Sequence, residues 1–286
     1  MSCIHKKNIY NNYAQSIVLC IIVKVILTEI VVDMIPAERQ QRILSSLEKK
    51  KVISISQLVA ELNVSHMTIR RDIAKLEKLK SIISVSGGVT LIEPINSEPS
   101  HDIKISQHQT EKVNIARYAA GLISENATIY LDAGTTTLEI AQQITQRDDL
   151  FVITNDLVIT SLLLEHSKCQ LFHTGGKIDR LNRSCVGEKT AKFLSDFNLD
   201  LAFISTSSWD MRGISTPNED KVIVKQAIVN SSQKNYLVCD SSKYGRIAPF
   251  FAADIKCFAQ IITDNHFSLA CVEELAQQGV DVIVVD

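Results

Sequence analysis

The chain has 286 residues, long enough for two domains with separate cores. Hydrophobic residues make up 45% and charged residues 22%, a globular balance that excludes a disordered chain. The formal net charge of −2 hides an asymmetry, since Met34 to Thr90 carries ten basic residues and five acidic ones, which suits contact with a polyanion at one end only.

The apolar segment Ile17 to Val32 raises the question of a membrane helix. Lys24 and Glu29 interrupt it, and its longest unbroken apolar run is Ile17 to Val23. A spanning helix needs ~20 mostly apolar residues, and each central charge costs roughly 2.5–3.5 kcal/mol. Lys6 and Lys7 give a basic start, but no small-residue cleavage site follows. Residues 1–33 are therefore expected to be an upstream extension outside the fold, with Met34 as the initiator and no membrane partner. A membrane-tethered sensor is the competing reading.

Residues 34–92 form the first expected domain. A helix over about Pro36 to Lys49 has Ile43, Leu44 and Leu47 on one face, with Pro36 in its first turn and Glu38 against its dipole. A second helix, about Ser56 to Leu62, turns Leu58, Val59 and Leu62 inward. Asn63 and Val64 make a tight turn, and Ser65 caps a third helix running to Glu77. There Ile69, Ile73 and Leu76 stand at i, i+4 and i+7, a buried stripe opposite His66, Arg70, Arg71 and Lys75. Ile82 to Val85, Gly87-Gly88 and Val89 to Ile92 then read as a two-stranded wing. Two helices across a tight turn, the second bearing polar and basic residues early, present side chains to the major groove of double-stranded DNA. Ser65, His66, Thr68, Arg70, Arg71 and Lys75 are the candidate contacts. Arg70 and Arg71 cannot face the same way on a helix. One is expected at a phosphate or base edge, the other paired with an acid such as Asp72 or laid along the backbone.

Residues 93–109, with Pro94, Asn96, Ser97, Pro99 and Ser100, read as a polar linker. Residues 110–286 then alternate between short β-rich and amphipathic helical stretches. Strands are expected at Thr128–Asp132, Phe151–Thr154, Leu171–His173, Leu201–Ser205, Tyr236–Asp240, Gln260–Thr263 and Val282–Val285. Helices are expected at Glu111–Ile123, Leu138–Thr145, Asp156–Glu165, Glu188–Phe197 and Lys221–Ser231. This rhythm predicts an α/β domain with a mostly parallel sheet, in which ligands gather at the carboxyl ends of strands.

Polar clusters fall at those ends. Asp132-Ala133-Gly134-Thr135-Thr136-Thr137 closes one strand and opens a helix. Gly134 permits close backbone approach, while the hydroxyls and free helical N–H groups suit an anion. Thr154-Asn155-Asp156 and Thr174-Gly175-Gly176-Lys177 close the next two strands, and Arg183 follows. Glu219, Asp220, Lys221 and Lys225 lie farther on, before Asp240-Ser241-Ser242-Lys243. Glu219 and Asp220 are the best acid–base candidates, but no motif fixes a catalytic pair. The single tryptophan, Trp209, is open to two readings, pocket wall or core packing. Seven cysteines are scattered without a Cys-x-x-Cys pair, which argues against zinc and a disulfide framework and fits a reducing cytoplasm. No metal or cofactor is expected.

The run Val64-Ser65-His66-Met67-Thr68-Ile69-Arg70-Arg71-Asp72, followed by Leu76-Glu77 and Gly87-Gly88, resembles the signature of the DeoR/GlpR family of bacterial regulators. The resemblance extends over about Met34 to Asp286. It implies a winged helix-turn-helix followed by a sensor domain similar in fold to ribose-phosphate isomerases, responding to a phosphorylated sugar or related metabolite. Carried over by position, Gly134 to Thr137 would hold the anionic group, with Asp132 beside them or acting as a strand-end cap. Asn155, Gly175, Lys177, Arg183, Asp220, Lys225 and Lys243 would lie around the rest. The sequence departs from the family where Lys80-Ser81, Ser84 and Ser86 replace a glycine and basic wing residues, so DNA binding rests more on the helix. The wing and the Trp209 region also resemble a subgroup tied to acidic-sugar breakdown. The expectation is a cytoplasmic homo-oligomer, dimer or tetramer, that represses a sugar or sugar-acid catabolic operon. A sugar-phosphate isomerase-like enzyme with a DNA-binding appendage is the alternative.

Overall fold

Helix α1 (Pro36–Lys49) starts where Pro36 and Glu38 suit a helix N-terminus. The structure, a computed structural model, describes residues 34–50, 52–79, 81–85 and 88–286. The segment Ile17 to Val32 and Gly87 of the wing turn lie outside the described residues. Two compact units divide within α1, between Arg42 and Ile43. Before the division, the Arg39 guanidinium donates to the Met34 carbonyl at 2.9 Å and Arg42 pairs with Glu38 one turn earlier.

In the second unit, β1 (Val52–Ile53) leads into α2 (Ile55–Leu62). This helix begins one residue before the expected Ser56 because Ser54 builds a reciprocal cap. Its hydroxyl accepts from the Gln57 N–H at 3.1 Å, and the Gln57 side chain accepts from the Ser54 N–H at 2.9 Å. Asn63 ends the helix in the left-handed region, at φ 51°. Ser65 caps α3 (His66–Lys78), accepting from the Thr68 N–H at 3.1 Å. Ile69, Ile73 and Leu76 are buried as the i, i+4, i+7 spacing requires. Strands β2 (Ile82–Val85) and β3 (Gly88–Leu91) pair antiparallel, and β1 adds to the other side of β3. Gly88 sits so close to β1 that a Cβ there would lie 2.2 Å from the Ile53 carbonyl oxygen.

The segment expected as a linker is folded. Strand β4 (Glu93–Pro94) is followed by α4 (His101–Ser106), which Ser100 caps, and by α5 (Gln109–Gly121). All seven strands foreseen in the larger domain are present. They are β5 (Thr128–Leu131), β6 (Phe151–Thr154), β7 (Gln170–His173), β10 (Leu199–Ile204), β13 (Ser232–Val238), β16 (Gln260–Asp264) and β17 (Asp281–Val285). They form one sheet in the order β17-β16-β13-β10-β5-β6-β7, every neighbouring pair parallel. Period-2 alternation sends Tyr130, Ile153, Ala202, Ile204, Leu237 and Ile261 into one core, and Ile129, Val152, Leu201, Phe203, Val238 and Ile262 into the other.

The second of these cores packs against α5, α6 (Thr135–Gln143) and α7 (Leu157–His166) through residues such as Ile115, Ile140 and Ile159. The first packs against α8 (Glu188–Leu194), α9 (Glu219–Ser231) and α10 (Leu269–Gln277). Two antiparallel features were not foreseen. One is the hairpin β8 (Lys177–Asp179) with β9 (Ser184–Val186). The other joins β11 (Ser208–Asp210), β12 (Gly213–Thr216) and β15 (Phe250–Asp254). Trp209 resolves to core packing, fully buried with ring centroids 4.8 Å from Tyr244 and 5.4 Å from Phe267.

The wing touches the sheet domain within this unit. Ile83 belongs to the first core, and the Cys271 thiol donates to the Ser84 carbonyl at 3.2 Å. Strand β4 pairs in parallel with β14 (Arg246–Ile247), and the Ile95 N–H donates to the Ile247 carbonyl at 2.9 Å. No helix among the described residues is long and apolar enough to cross a membrane.

Candidate functional site

Two regions carry chemistry, the outer face of α3 and a cavity at the carboxyl ends of the sheet strands. On α3, His66, Arg70, Arg71 and Lys75 are exposed, while Asp72 turns inward and is buried. Neither arginine is paired with an acid among the described residues, so both guanidinium groups remain available to a polyanion. Ser65 and Thr68 serve the helix itself, their hydroxyls 2.9 Å apart at the cap. Met67 also stands out on this face, 68% exposed, and adds an apolar side chain that the charge pattern did not single out. Ser84 ties the wing to α3: its N–H and hydroxyl both donate to Glu77 Oε1, at 2.9 and 2.7 Å.

The cavity has a volume of about 380 Å³. Its walls come from the ends of β5, β6, β10 and β13, the start of α6, one face of α9 and the segment Pro94 to Pro99. Six cationic residues (Lys104, Lys112, Lys221, Lys225, Lys243 and Arg246) line it against three carboxylates (Glu98, Asp132 and Asp240), which favours an anionic occupant. Thr135 and Thr136 bring the N-terminus of α6 to its wall, where helical N–H groups lack intrahelical acceptors.

Each carboxylate is held differently. Lys225 Nζ donates to Asp132 Oδ2 at 2.6 Å and to the Ser205 carbonyl at 2.7 Å, while the Ser205 N–H donates to the same carboxylate at 3.2 Å. Asp240 accepts from the Ser242 N–H at 3.2 Å, capping a turn of 3-10 helix, and Lys243 lies 3.5 Å away. Glu98 accepts from Lys221 at 3.0 and 2.9 Å, from Lys104 at 3.3 Å and from the Ser207 hydroxyl at 3.3 Å. Burial alone would raise the Glu98 pKa, but the charges of Lys221 and Lys104 outweigh it and bring the group down to about 2. Burial lowers Lys104 and Lys112, against the opposing pull of Glu98 and Asp240 respectively. Just behind the wall, burial pushes Asp156 up to about 6, although the N–H groups of Ile159, Val158 and Gly134 all donate to it.

Of the sequence-based effector residues, Asp132, Gly134, Thr135, Thr136, Asn155, Lys225 and Lys243 line the cavity. Asn155 donates to the Cys185 carbonyl at 2.9 Å, and its fully buried Oδ1 has no partner among the described residues. Thr137 stands one layer back, its hydroxyl donating to the Asp132 and Gly134 carbonyls at 2.6 and 2.8 Å. Gly134 is needed for close approach to the protein itself, since a Cβ there would lie 2.3 Å from Ser205 Oγ.

Gly175, Lys177, Arg183 and Asp220 are not in the lining. Gly175 accepts from the Thr190 hydroxyl at 2.7 Å, Lys177 pairs with Asp220 at 2.7 Å, and Arg183 pairs with Asp102 at 2.8 Å. Asp220, one of the two acid–base candidates, thus pairs with Lys177 at the surface, outside the cavity lining. Glu98, Lys104, Lys112, Lys221 and Arg246 were missed. Lys221 lies in the charged run already noticed, and its one-turn spacing from Lys225 on α9 was the available signal. The others come from the supposed linker, from α5 and from β14, where nothing in the local pattern marks a site.

Residues 107–265 match the DeoR C terminal sensor domain family and residues 39–94 the DeoR-like helix-turn-helix domain family. A Haemophilus influenzae protein named as an uncharacterized HTH-type transcriptional regulator is 52% identical, across 88% of this chain and 98% of its own length. The putative aga operon transcriptional repressor of Escherichia coli O157:H7 is 31% identical, across 87% of this chain and 94% of its own. Ribose 5-phosphate isomerase A from Methanocaldococcus jannaschii shares 15% identity and a TM-score of 0.36, over 48% of this chain and 55% of its own. Nothing about ligand or chemistry follows from a likeness that weak. With both domain matches in order along one chain, this protein belongs to the DeoR family of DNA-binding transcriptional regulators.

Proposed function

We propose that this regulator is a cytoplasmic repressor of a sugar or sugar-acid catabolic operon, released from its operator when a phosphorylated or acidic sugar fills the cavity. The observation that carries this reading is the cavity's excess of cationic side chains over carboxylates, set at the strand ends beside the N-terminus of α6. The hydroxyl-bearing Thr135, Thr136 and Thr206 in the cavity lining suit a polyhydroxylated ligand. The α3 face, with His66, Arg70, Arg71 and Lys75 exposed, suits the major groove, and two or more copies would present it to successive half-sites. Ligand and operator then compete through an arrangement of the chain that each favours, typically with ~1–3 kcal/mol of coupling.

The test is calorimetric titration of the full chain with a panel of sugar phosphates, sugar acids and their neutral parent sugars. Saturable binding of at least one anionic compound, lost in its neutral parent, supports the reading. Binding of a neutral sugar with equal affinity, or turnover of any sugar phosphate, would contradict it.

A further inference from the structure

We propose that Glu98 occupies, in the ligand-free protein, the oxyanion subsite formed by Lys221, Lys104 and Ser207, and that the ligand's phosphate or carboxylate binds there by displacing it. This rests on the reading of the cavity as an anion site. The Glu98 side chain is 7% exposed and accepts from two ammonium groups and a hydroxyl, the donor set a ligand oxyanion would use. Among the three lining carboxylates it is the one whose supports can release it. Asp132 is locked by Lys225 and the Ser205 backbone at the end of a central strand, and Asp240 caps a helical turn. Glu98 instead sits on an irregular segment in which Asn96, Ser97 and Pro99 are exposed.

The same segment is continuous with the DNA-binding domain. Four residues before Glu98, Pro94 pairs with Ile247 in the β4–β14 contact, and the wing strand β3 ends at Leu91. Displacing Glu98 therefore frees the stretch that joins the cavity to the wing. A ligand that must first evict Glu98 binds with its intrinsic affinity reduced by the fraction of chains in which the subsite is open.

The experiment uses the full chain, with inorganic phosphate and acetate as separate probes at constant ionic strength. Calorimetry compares wild type, Glu98→Gln and Glu98→Ala, and hydrogen exchange follows the amides of Ile95 to Ser100. Both variants are expected to bind one of the anions at least about tenfold more tightly than wild type. The anion that gains shows whether the subsite suits a phosphate or a carboxylate. Saturating wild type with that anion is expected to speed exchange at Ile95 to Ser100, a readout that holds even if the variants fold poorly. Equal or weaker binding by Glu98→Gln, with no change in exchange, would overturn the proposal. So would tighter binding that survives Lys104→Met and Lys221→Met together, because the ion would then lie elsewhere. Equal binding by wild type and Glu98→Gln that Lys243→Met abolishes would keep the anion cavity and remove the displacement. No binding of either anion to any form would remove both.

Discussion

Lys225 Nζ lies 2.6 Å from the Asp132 carboxylate, a buried ion pair in the cavity wall that joins helix α9 to the end of strand β5. Removing one partner of such a pair leaves an uncompensated buried charge, at a cost of about 3–5 kcal/mol. Lys225→Met is therefore expected to lower the thermal midpoint strongly, and the double variant with Asp132→Asn to recover part of the loss. Thermal denaturation of the three forms checks this. A double variant no more stable than Lys225→Met would show that the pair does not act as a unit.

Gly134 is at φ 170°, extended backbone open to any residue, so the constraint there is space and not conformation. An alanine methyl would sit 2.3 Å from Ser205 Oγ, and the Ser205 hydroxyl now donates to the Ala133 carbonyl at 2.7 Å. Gly134→Ala is expected to break that bond, shift the start of α6 and weaken anion binding, with ~1–3 kcal/mol lost to overpacking. Denaturant titration and calorimetry with inorganic phosphate read the two effects. Unchanged values for both would mean that the turn yields freely.

Asp156 ties pH to stability. Burial pushes its carboxyl up to about 6 in the folded chain, above the ordinary aspartate value of about 3.9, so the folded state holds its proton more firmly. Stability from this group therefore falls as pH rises through that window and is recovered on acidification. Relative to Asp156→Asn, wild type is expected to gain as pH drops from 7 towards 4, by on the order of 3 kcal/mol in all. Paired denaturation curves across that range measure it. A difference that stays flat, or that shrinks on acidification, would show that Asp156 ionises normally.

The exposed α3 face makes a separate prediction about DNA. Arg70→Ala and Arg71→Ala should each leave the thermal midpoint unchanged, because neither side chain is buried or paired among the described residues. An arginine on a phosphate should reduce the slope of log affinity against log salt by about 1 per helix engaged, and one on a base edge should relax sequence preference. Anisotropy titrations at several salt concentrations separate the two roles. Affinity and slope unchanged in both variants would remove α3 from the interface.

The sequence made regular elements legible because their patterns are local. The i, i+4, i+7 stripe of Ile69, Ile73 and Leu76 and the cap at Ser65 are set by neighbours in the chain, and so are the seven apolar strands of the sheet. The cavity was legible only where a strand end supplied its wall, as at Asp132 to Thr136, Asn155 and Lys225. Lys177, Arg183 and Asp220 look like ligand groups by position, but the β8–β9 hairpin and α4 supply surface partners that no local pattern announces. Glu98 was hidden for the opposite reason. Proline and serine around it read as a linker, and only tertiary contact with Lys221 and Lys104 makes it part of the site.

The most direct measurement is anisotropy of the full chain on its own promoter DNA, titrated with the tightest-binding sugar phosphate or sugar acid, for wild type and for Lys221→Met. The account predicts sequence-specific, salt-sensitive binding that the ligand reverses in wild type, and reversal that needs far more ligand in Lys221→Met. Promoter binding no tighter than to random DNA, or release equally easy in both proteins, would contradict it.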